Sequence, residues 1–154
     1  MTPQVIIVRL LASAAISGLI GFERERHGRA AGFRTHILVG VGSCLIMLTG
    51  VYCAELYGLQ AVDPTRMAAQ IISGIGFLGA GTIIRFGGSV RGLTTAASLW
   101  AAGGIGIAVG AGFHLAAGLA GLIVIVTLFA LSPIERAIRS TTHHGDDQQP
   151  KEEP

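Results

Sequence analysis

Residues 70–81 read Gln70-Ile71-Ile72-Ser73-Gly74-Ile75-Gly76-Phe77-Leu78-Gly79-Ala80-Gly81. The Gly74-x-Gly76-x-x-Gly79 spacing matches a dinucleotide-binding turn, which needs a preceding strand, a helix opening at the glycines and an acidic residue ~20 positions later. Here one apolar run covers 68–84, and no Asp or Glu occurs between Asp63 and Glu135. A membrane helix explains the stretch better, because small residues let neighbouring backbones approach each other in lipid.

The glycines of this helix occupy two faces at ~100° per residue. Gln70, Gly74 and Gly81 share one face, whereas Gly76 and Gly79 lie near the opposite one. A helix that is narrow on both sides is predicted to lie between two others, so that Gly76→Leu would push a neighbour outward. The predicted packing positions are Gly74, Gly76, Gly79 and Gly81.

The composition of the whole chain is typical of a helical membrane protein. It is 51% hydrophobic and 13% charged, whereas soluble domains have ~25% charged residues. Too few charges remain to coat the surface of a soluble domain. Cys44 and Cys53 fall on opposite faces of one predicted helix without metal-ligand spacing, so we expect apolar packing roles for both.

Five apolar runs predict five membrane helices. A cleavable signal peptide is the alternative for the first run, but no Lys or Arg precedes that run and Arg9 interrupts it. The fourth run is short of the ~20 residues that the hydrocarbon requires, which favours a tilted or protein-surrounded helix. We therefore predict an all-α fold, a polytopic membrane bundle forming one domain over 1–139. The predicted spans are 5–22, 37–54, 68–84, 94–109 and 113–131.

Basic residues are distributed unevenly between the two ends of these helices. Nine fall on one side, and only Arg9 and Arg66 fall on the other. The positive-inside rule therefore places the N-terminus outside, and both basic loops and the C-terminus in the cytoplasm. The polar residues 140–154 are predicted to form a disordered tail. The nine residues are Arg24, Arg26, Arg29, Arg34, Arg85, Arg91, Arg136, Arg139 and Lys151.

The two predicted cytoplasmic loops, 23–36 and 85–93, hold the main candidates for contact with a partner protein, an anion or lipid. Topology and anionic-lipid contact would also explain these arginines, at ~1 kcal/mol per basic residue. Acidic residues among the arginines and several glycines favour loops folded against the helix ends. Thr94 or Thr95 is predicted to cap the fourth helix. The candidates are Glu23, Arg24, Arg34, Arg85, Arg91, Thr94 and Thr95.

Other polar residues are candidates inside the membrane or at its outer surface. Gln70 is either functional or the donor of an interhelical hydrogen bond. Glu55 and Arg66, with Arg9 and Asp63, are expected to form ion pairs, with a cation-admitting mouth as the alternative. No carboxylate lies within the apolar part of a span, which argues against a dedicated magnesium pathway within one subunit. We expect no catalytic residue, metal site or cofactor.

An ordered set of motifs covers roughly residues 5 to 139. In chain order it comprises Ile20-Gly21-x-Glu23-Arg24, Ala31-Gly32-Phe33-Arg34-Thr35, Arg66-x-Ala68-Ala69-Gln70-Ile71, Ser73 to Gly81, Val90 to Ala97, Trp100 and Gly104-Ile105-Gly106. This set resembles the MgtC/SapB family of bacterial membrane proteins. Larger members of that family resemble this chain followed by a soluble C-terminal domain.

The resemblance implies a multi-pass protein of the bacterial inner membrane, linked to magnesium limitation, acid stress or virulence. Our leading hypothesis is a non-enzymatic regulator that acts through its basic loops. The competing hypothesis is a small oligomeric cation (magnesium) transporter or channel component. No Gly-x-x-x-x-Gly-Lys-Ser/Thr phosphate loop or nucleophile–base pair points to an enzyme. Expected partners are membrane lipids, another membrane protein and further copies of the chain, but not nucleic acid.

Overall fold

The computed structural model describes the backbone of residues 1–59 and 62–142, and the side chains of 1–59 and 62–130. Five helices correspond to the five predicted apolar runs, which confirms the all-α helix bundle. The helices are α1 (Pro3–Arg26), α2 (Phe33–Tyr57), α3 (Pro64–Ala80), α4 (Leu93–Ala111) and α5 (His114–Thr142). By length and hydropathy, α1, α2 and α4 can each cross a membrane, and within the described side chains α5 contributes the shorter apolar stretch His114–Ala130.

The helix bounds correct the predicted first basic loop. The chain stays helical after it leaves the apolar run, so Glu23 and Arg24 belong to the last turn of α1. Since α2 already begins at Phe33, only residues 27–32 connect the two helices. At the other end of the chain, α5 extends to Thr142, inside the predicted tail. The remainder of that tail, 143–154, lies outside the described residues.

The predicted second basic loop contains a β-hairpin. Strands β1 (Ile84–Phe86) and β2 (Ser89–Arg91) pair antiparallel. Their two-residue connection begins at Gly87, whose φ of 58° suits glycine in a tight hairpin turn. The hairpin leads directly into α4, because Gly92, with a φ of 92°, is the residue before that helix.

Helix α4 is the centre of the bundle, because it packs against all four other helices. Its glycines allow this close approach. A Cβ on Gly106 would collide with the carbonyl oxygen of Gly40, and one on Gly110 would lie 2.7 Å from the carbonyl oxygen of Cys44. Of the two predicted alternatives for the fourth helix, tilted or protein-surrounded, these contacts favour the second.

Helix α3 is peripheral, which corrects its predicted position between two helices along both glycine faces. Ile71 and Ile75, spaced four residues apart, point into the core between α2 and α4. Gly74 and Gly76 fall away from this packed face, since neither has a described atom within 4 Å of an added Cβ.

The remaining two predicted packing glycines differ from each other. Gly79 packs against α4, since an added Cβ would lie 3.5 Å from the Cβ of Ala96. Gly81 is the residue after α3, and its nearest contact is the carbonyl oxygen of Leu78 in its own turn. Of the four glycines predicted to pack between helices, only Gly79 does so within the described residues.

Candidate functional site

Polar and charged side chains gather at one end of the bundle, which we call the basic end. Here α1 and α3 finish and α2 and α4 begin. The basic end carries residues 27–32, named the α1–α2 loop, and the β1–β2 hairpin. The charge distribution of the sequence predicts that this end faces the cytoplasm.

Five polar side chains are buried between α1, α2 and α4 at the basic end. None is more than 4% exposed. Burying ionisable groups is costly unless they are paired or hydrogen-bonded, so their contacts fix how the three helices meet. We call this group the buried polar cluster: Glu23, Arg24, His36, Thr95 and Ser98.

His36 connects the start of α2 to the first turns of α4. Its Nδ1 lies 2.9 Å from the carbonyl oxygen of Gly32, and its Nε2 lies 3.0 Å from Oγ of Ser98. The Ser98 hydroxyl also lies within bonding distance of the Thr95 carbonyl oxygen, at 2.9 Å. Because Nδ1 must carry a proton to donate to Gly32, the Ser98 hydroxyl donates either to Thr95 or to a neutral Nε2.

Arg24 connects α1 to α4. Its Nη2 donates to Oγ1 of Thr95 over 3.3 Å, and its Nη1 lies 3.9 Å from Oε2 of Glu23. The other Glu23 carboxylate oxygen, Oε1, lies 3.0 Å from Nδ1 of His27. A buried carboxylate therefore lies between a guanidinium and an imidazole at the point where α1 meets the loop.

The α1–α2 loop is fastened at both of its ends. The carboxylate of Glu25 accepts the backbone N–H of Phe33 over 2.7 Å, in the first turn of α2. Negative charge is favourable at this position because it faces the positive end of the α2 dipole. At the start of the loop, Nδ1 of His27 lies 2.9 Å from the Glu23 carbonyl oxygen, and its ring meets Phe129 of α5 edge-on at 6.3 Å.

Close backbone packing holds the same loop against α1. A Cβ on Gly21 would lie 2.8 Å from the carbonyl oxygen of Gly32 and 2.8 Å from Cα of Phe33. These contacts present Arg29 and Arg34 to the outside, where both are exposed. The loop is therefore an ordered connection whose backbone has a defined position.

The structure brings together only some of the predicted site residues. Glu23, Arg24 and Thr95 meet in the buried polar cluster. The other members of the predicted set are exposed and lie outside it: Arg34, Arg85, Arg91 and Thr94.

The predicted threonine cap of α4 is wrong. Gly92 precedes α4, and no side chain caps the helix there. Thr94 and Thr95 lie within its first turn, and Thr95 instead accepts a hydrogen bond from Arg24. Sequence reasoning also missed His36 and Ser98. The available signal was the i, i+3 spacing of Thr95 and Ser98, which places two hydroxyls on one face of an otherwise apolar helix.

Of the four charged residues predicted to form ion pairs at the opposite end, only Glu55 does so among the described residues, and its partner is the N-terminal amino group rather than Arg9 or Arg66. Arg9 donates to the carbonyl oxygen of Gly110 over 2.8 Å, which places a cation at the C-terminal end of α4. Glu55 lies 3.0 Å from the amino nitrogen of Met1. Arg66 is exposed.

Asp63 caps α3 at this opposite end. Its carboxylate accepts the Thr65 hydroxyl over 2.7 Å and the Thr65 backbone N–H over 2.9 Å. The hydrogen bond from the Thr65 hydroxyl lowers the pKa of Asp63 below its ordinary value, and the bond from the Thr65 backbone N–H lowers it further by a smaller amount. Its role here is to begin a helix.

Gln70 lies beside a groove between α2 and α3. The groove has a volume of about 600 Å³ and mostly apolar walls, which include Gly42 and Gly74. Gln70 is exposed and makes no hydrogen bond to another described residue, so the predicted interhelical bond is not observed. Within the described residues, no group of three or more His, Cys, Asp or Glu side chains could hold a metal ion.

The family model described as "MgtC family" matches residues 10–137. "Putative magnesium transporter YhiD" of Escherichia coli (strain K12) is 44% identical over 111 residues, 70% of this chain and 52% of that protein. "Protein MgtC" of Brucella abortus (strain 2308) is 43% identical over 129 residues, 84% of this chain and 52% of that protein. "Protein SapB" of Bacillus subtilis (strain 168) is 38% identical over 137 residues, 86% of this chain and 59% of that protein.

The chain thus spans a little more than half the length of these relatives. No solved structure matches it. The described site residues all lie within the part of the chain that the family model covers.

Proposed function

The chain belongs to the MgtC family, and we propose that it is a non-enzymatic membrane regulator that supports growth under magnesium limitation. The connection to magnesium is supported by the name of the Escherichia coli relative. Regulation by contact, with no chemical step, is supported by the kind of site that the bundle builds. Its buried polar side chains contact one another, and several arginines are exposed on its surface.

The fastened α1–α2 loop is the observation that carries this proposal. A surface that is already ordered before binding loses less conformational entropy when a partner docks. Glu25, His27 and Gly21 hold the backbone of the loop and the start of α2, so the exposed Arg29 and Arg34 project from an ordered backbone. Arginine in such a setting suits carboxylates on another protein, which it binds through paired N–H donors.

The position of Arg34 supports a binding role. It lies in the first turn of α2, where a positive charge faces the positive end of the helix dipole and weakens the helix. An arginine that is exposed and electrostatically unfavourable for its own helix is better explained by an external partner than by stability. We propose that this partner is a membrane protein with an acidic surface near the cytoplasmic face.

The test is growth of a strain that lacks this chain, complemented with variants at low magnesium. Arg29→Gln/Arg34→Gln should remain assembled in detergent, as judged by size-exclusion chromatography, and should fail to rescue growth. The matched control is Arg66→Gln, an exposed arginine at the opposite end, which should rescue like the unmodified protein. Full rescue by the double variant would overturn the proposal.

The second candidate function is cation transport, which the name of the Escherichia coli relative favours. The described carboxylates lie near the two ends of the bundle, at Glu23, Glu25, Glu55 and Asp63, rather than along a path between them. Magnesium flux into liposomes that contain only this purified protein separates the two candidates. The regulator hypothesis predicts no flux above that of empty liposomes. Magnesium flux that Gln70→Leu or Glu55→Ala abolishes would overturn the regulator hypothesis and favour transport.

A further inference from the structure

The β1–β2 hairpin exposes large apolar side chains, whose contact with water is unfavourable. Phe86 is 82% exposed, Ile84 63% and Val90 49%. The hairpin packs extensively on no helix among the described residues. An isolated two-stranded hairpin is at best marginally stable in water, so this one requires a surface to lie against.

The register of the hairpin separates its side chains into two faces. Cross-strand partners project to the same side of a sheet, and neighbours along a strand alternate. Ile84 pairs with Arg91 and Phe86 with Ser89, so these four share one face. Arg85 and Val90 share the other. One face therefore offers two large apolar side chains flanked by an arginine, with the second arginine directed away from them.

The hairpin continues the lipid-facing surface of the bundle. Near the end of α3, Phe77 is 81% exposed, and at the start of α4, Leu93 is 58% exposed. Each strand has three residues, or ~10 Å. The headgroup layer on one side of a bilayer is ~5–7 Å thick. Because the strands are longer than this layer is thick, an upright hairpin would carry Phe86, beside the turn, past the headgroups. A hairpin that lies along the membrane instead keeps Ile84 and Phe86 at the same depth.

The two arginines of the hairpin have no counter-charge among the described residues. Neither Arg85 nor Arg91 forms an ion pair with a described carboxylate. The described carboxylates at the basic end are already engaged, Glu23 by His27 and Glu25 by the N–H of Phe33. Phosphate is the complementary group that a membrane supplies at this depth, and arginine binds it through paired N–H donors.

We propose that the β1–β2 hairpin is a binding site for anionic phospholipid. Ile84 and Phe86 insert at the boundary between headgroups and acyl chains, and Arg85 and Arg91 bind headgroup phosphates. This inference does not rest on the proposed function, which concerns the α1–α2 loop.

The test places a fluorescent probe on the hairpin. Trp100 is the only tryptophan, so Phe86→Trp in a Trp100→Phe background reports on position 86 alone. The protein is reconstituted into vesicles of phosphatidylcholine with or without phosphatidylglycerol. With phosphatidylglycerol, emission should shift to shorter wavelength, brominated lipid should quench it and acrylamide quenching should fall. Inorganic phosphate added to phosphatidylcholine vesicles should reproduce none of these changes, because the site takes its phosphate from the membrane.

Charge variants complete the test. Arg85→Gln/Arg91→Gln should reduce the phosphatidylglycerol-dependent ratio of buried to accessible probe by about 25-fold, about five-fold per arginine. Arg85→Lys/Arg91→Lys should retain most of the effect, and Arg66→Gln at the opposite end should retain all of it. Circular dichroism and size-exclusion chromatography check that each variant is folded. A probe that stays accessible to acrylamide and insensitive to brominated lipid in both vesicles would overturn the proposal, as would an unchanged phosphatidylglycerol effect in the double glutamine variant. A probe that stays accessible in both vesicles is expected if the hairpin binds a partner protein instead, because the vesicles contain no such partner.

Discussion

The α1–α2 loop and the β1–β2 hairpin both carry exposed arginine at the basic end, but they differ in how they contact the helices of the bundle. The loop backbone is bonded at both ends and packs against α1, which places Arg29 of the loop and Arg34 of the first turn of α2 on an ordered surface. The hairpin contacts itself and exposes Phe86. Similar charge in these two regions therefore does not imply similar partners. Arginines on an ordered backbone suit a protein surface, whereas arginines beside exposed apolar side chains suit a lipid layer.

The largest expected difference between the two regions comes from added methyl groups. Gly21→Ala places a Cβ 2.8 Å from two backbone atoms of the loop and the start of α2, which must move. We expect a loss of about 1–3 kcal/mol in the free energy of unfolding. Gly88→Ala, in the hairpin, meets no described atom within 4 Å and should change little. Thermal unfolding in detergent measures both variants, and equal effects would contradict the contrast.

The next effect concerns the cluster beneath the loop. Thr95→Val keeps the shape of the side chain and removes the oxygen that accepts from Arg24. We expect a loss of about 1 kcal/mol in the free energy of unfolding. The charged partner strengthens this hydrogen bond, but its length of 3.3 Å weakens it. Thr94→Val, at the exposed neighbouring position, is the control and should be within about 0.5 kcal/mol of the unmodified protein. A larger loss of stability for Thr94→Val than for Thr95→Val would contradict the placement of Thr95 in the buried polar cluster.

A smaller effect should follow from releasing one end of the loop. Glu25→Gln weakens the bond to the Phe33 N–H and removes the charge near the α2 dipole, which is worth about 0.3–1 kcal/mol. Hydrogen exchange at the start of α2 should accelerate, while exchange in the hairpin should not change. Arg85→Gln is the matched change in the hairpin and should leave α2 unaffected. Equal acceleration by both variants would mean that the two regions are coupled.

Helix α3, which leads into the hairpin, should also tolerate change. Gly76→Ala meets no described atom within 4 Å, and alanine is favoured over glycine in a helix by up to about 1 kcal/mol. The variant should therefore unfold at the same temperature as the unmodified protein or slightly higher. A clear loss of stability or assembly would restore the original prediction from sequence, that neighbouring helices pack closely on both faces of α3.

The glycines show what sequence patterns predict well and what they do not. Apolar runs predict how many helices there are, because a membrane helix is apolar over most of its length, and the structure has a helix at each of the five runs. Which helix lies at the centre depends on how side chains from different helices meet. The glycine motif of α3 stands out in the sequence, yet this helix packs its Ile71 and Ile75 side chains into the core. Gly74 and Gly76 consequently face away from the other helices. In α4, Gly106 and Gly110 lie against α2 instead.

The site was predicted in part for a similar reason. Glu23, Arg24 and Thr95 stood out as polar residues beside apolar runs, but a charge pattern does not show whether a helix continues through it. His36 was missed because a single histidine at the start of an apolar run has no partner in the sequence. Ser98, its partner, is 62 residues away and becomes its neighbour only when α2 packs on α4.

Photo-crosslinking from the two regions in cells grown at low magnesium tests the central claim most directly. A photoreactive residue replaces the exposed Ala30, next to Arg29 in the α1–α2 loop, or Phe86 in the hairpin, and adducts are separated by mass. We predict a protein adduct of one defined mass from position 30 and lipid adducts from position 86. Lipid adducts alone from position 30 would contradict the proposal that the loop recognises a membrane protein.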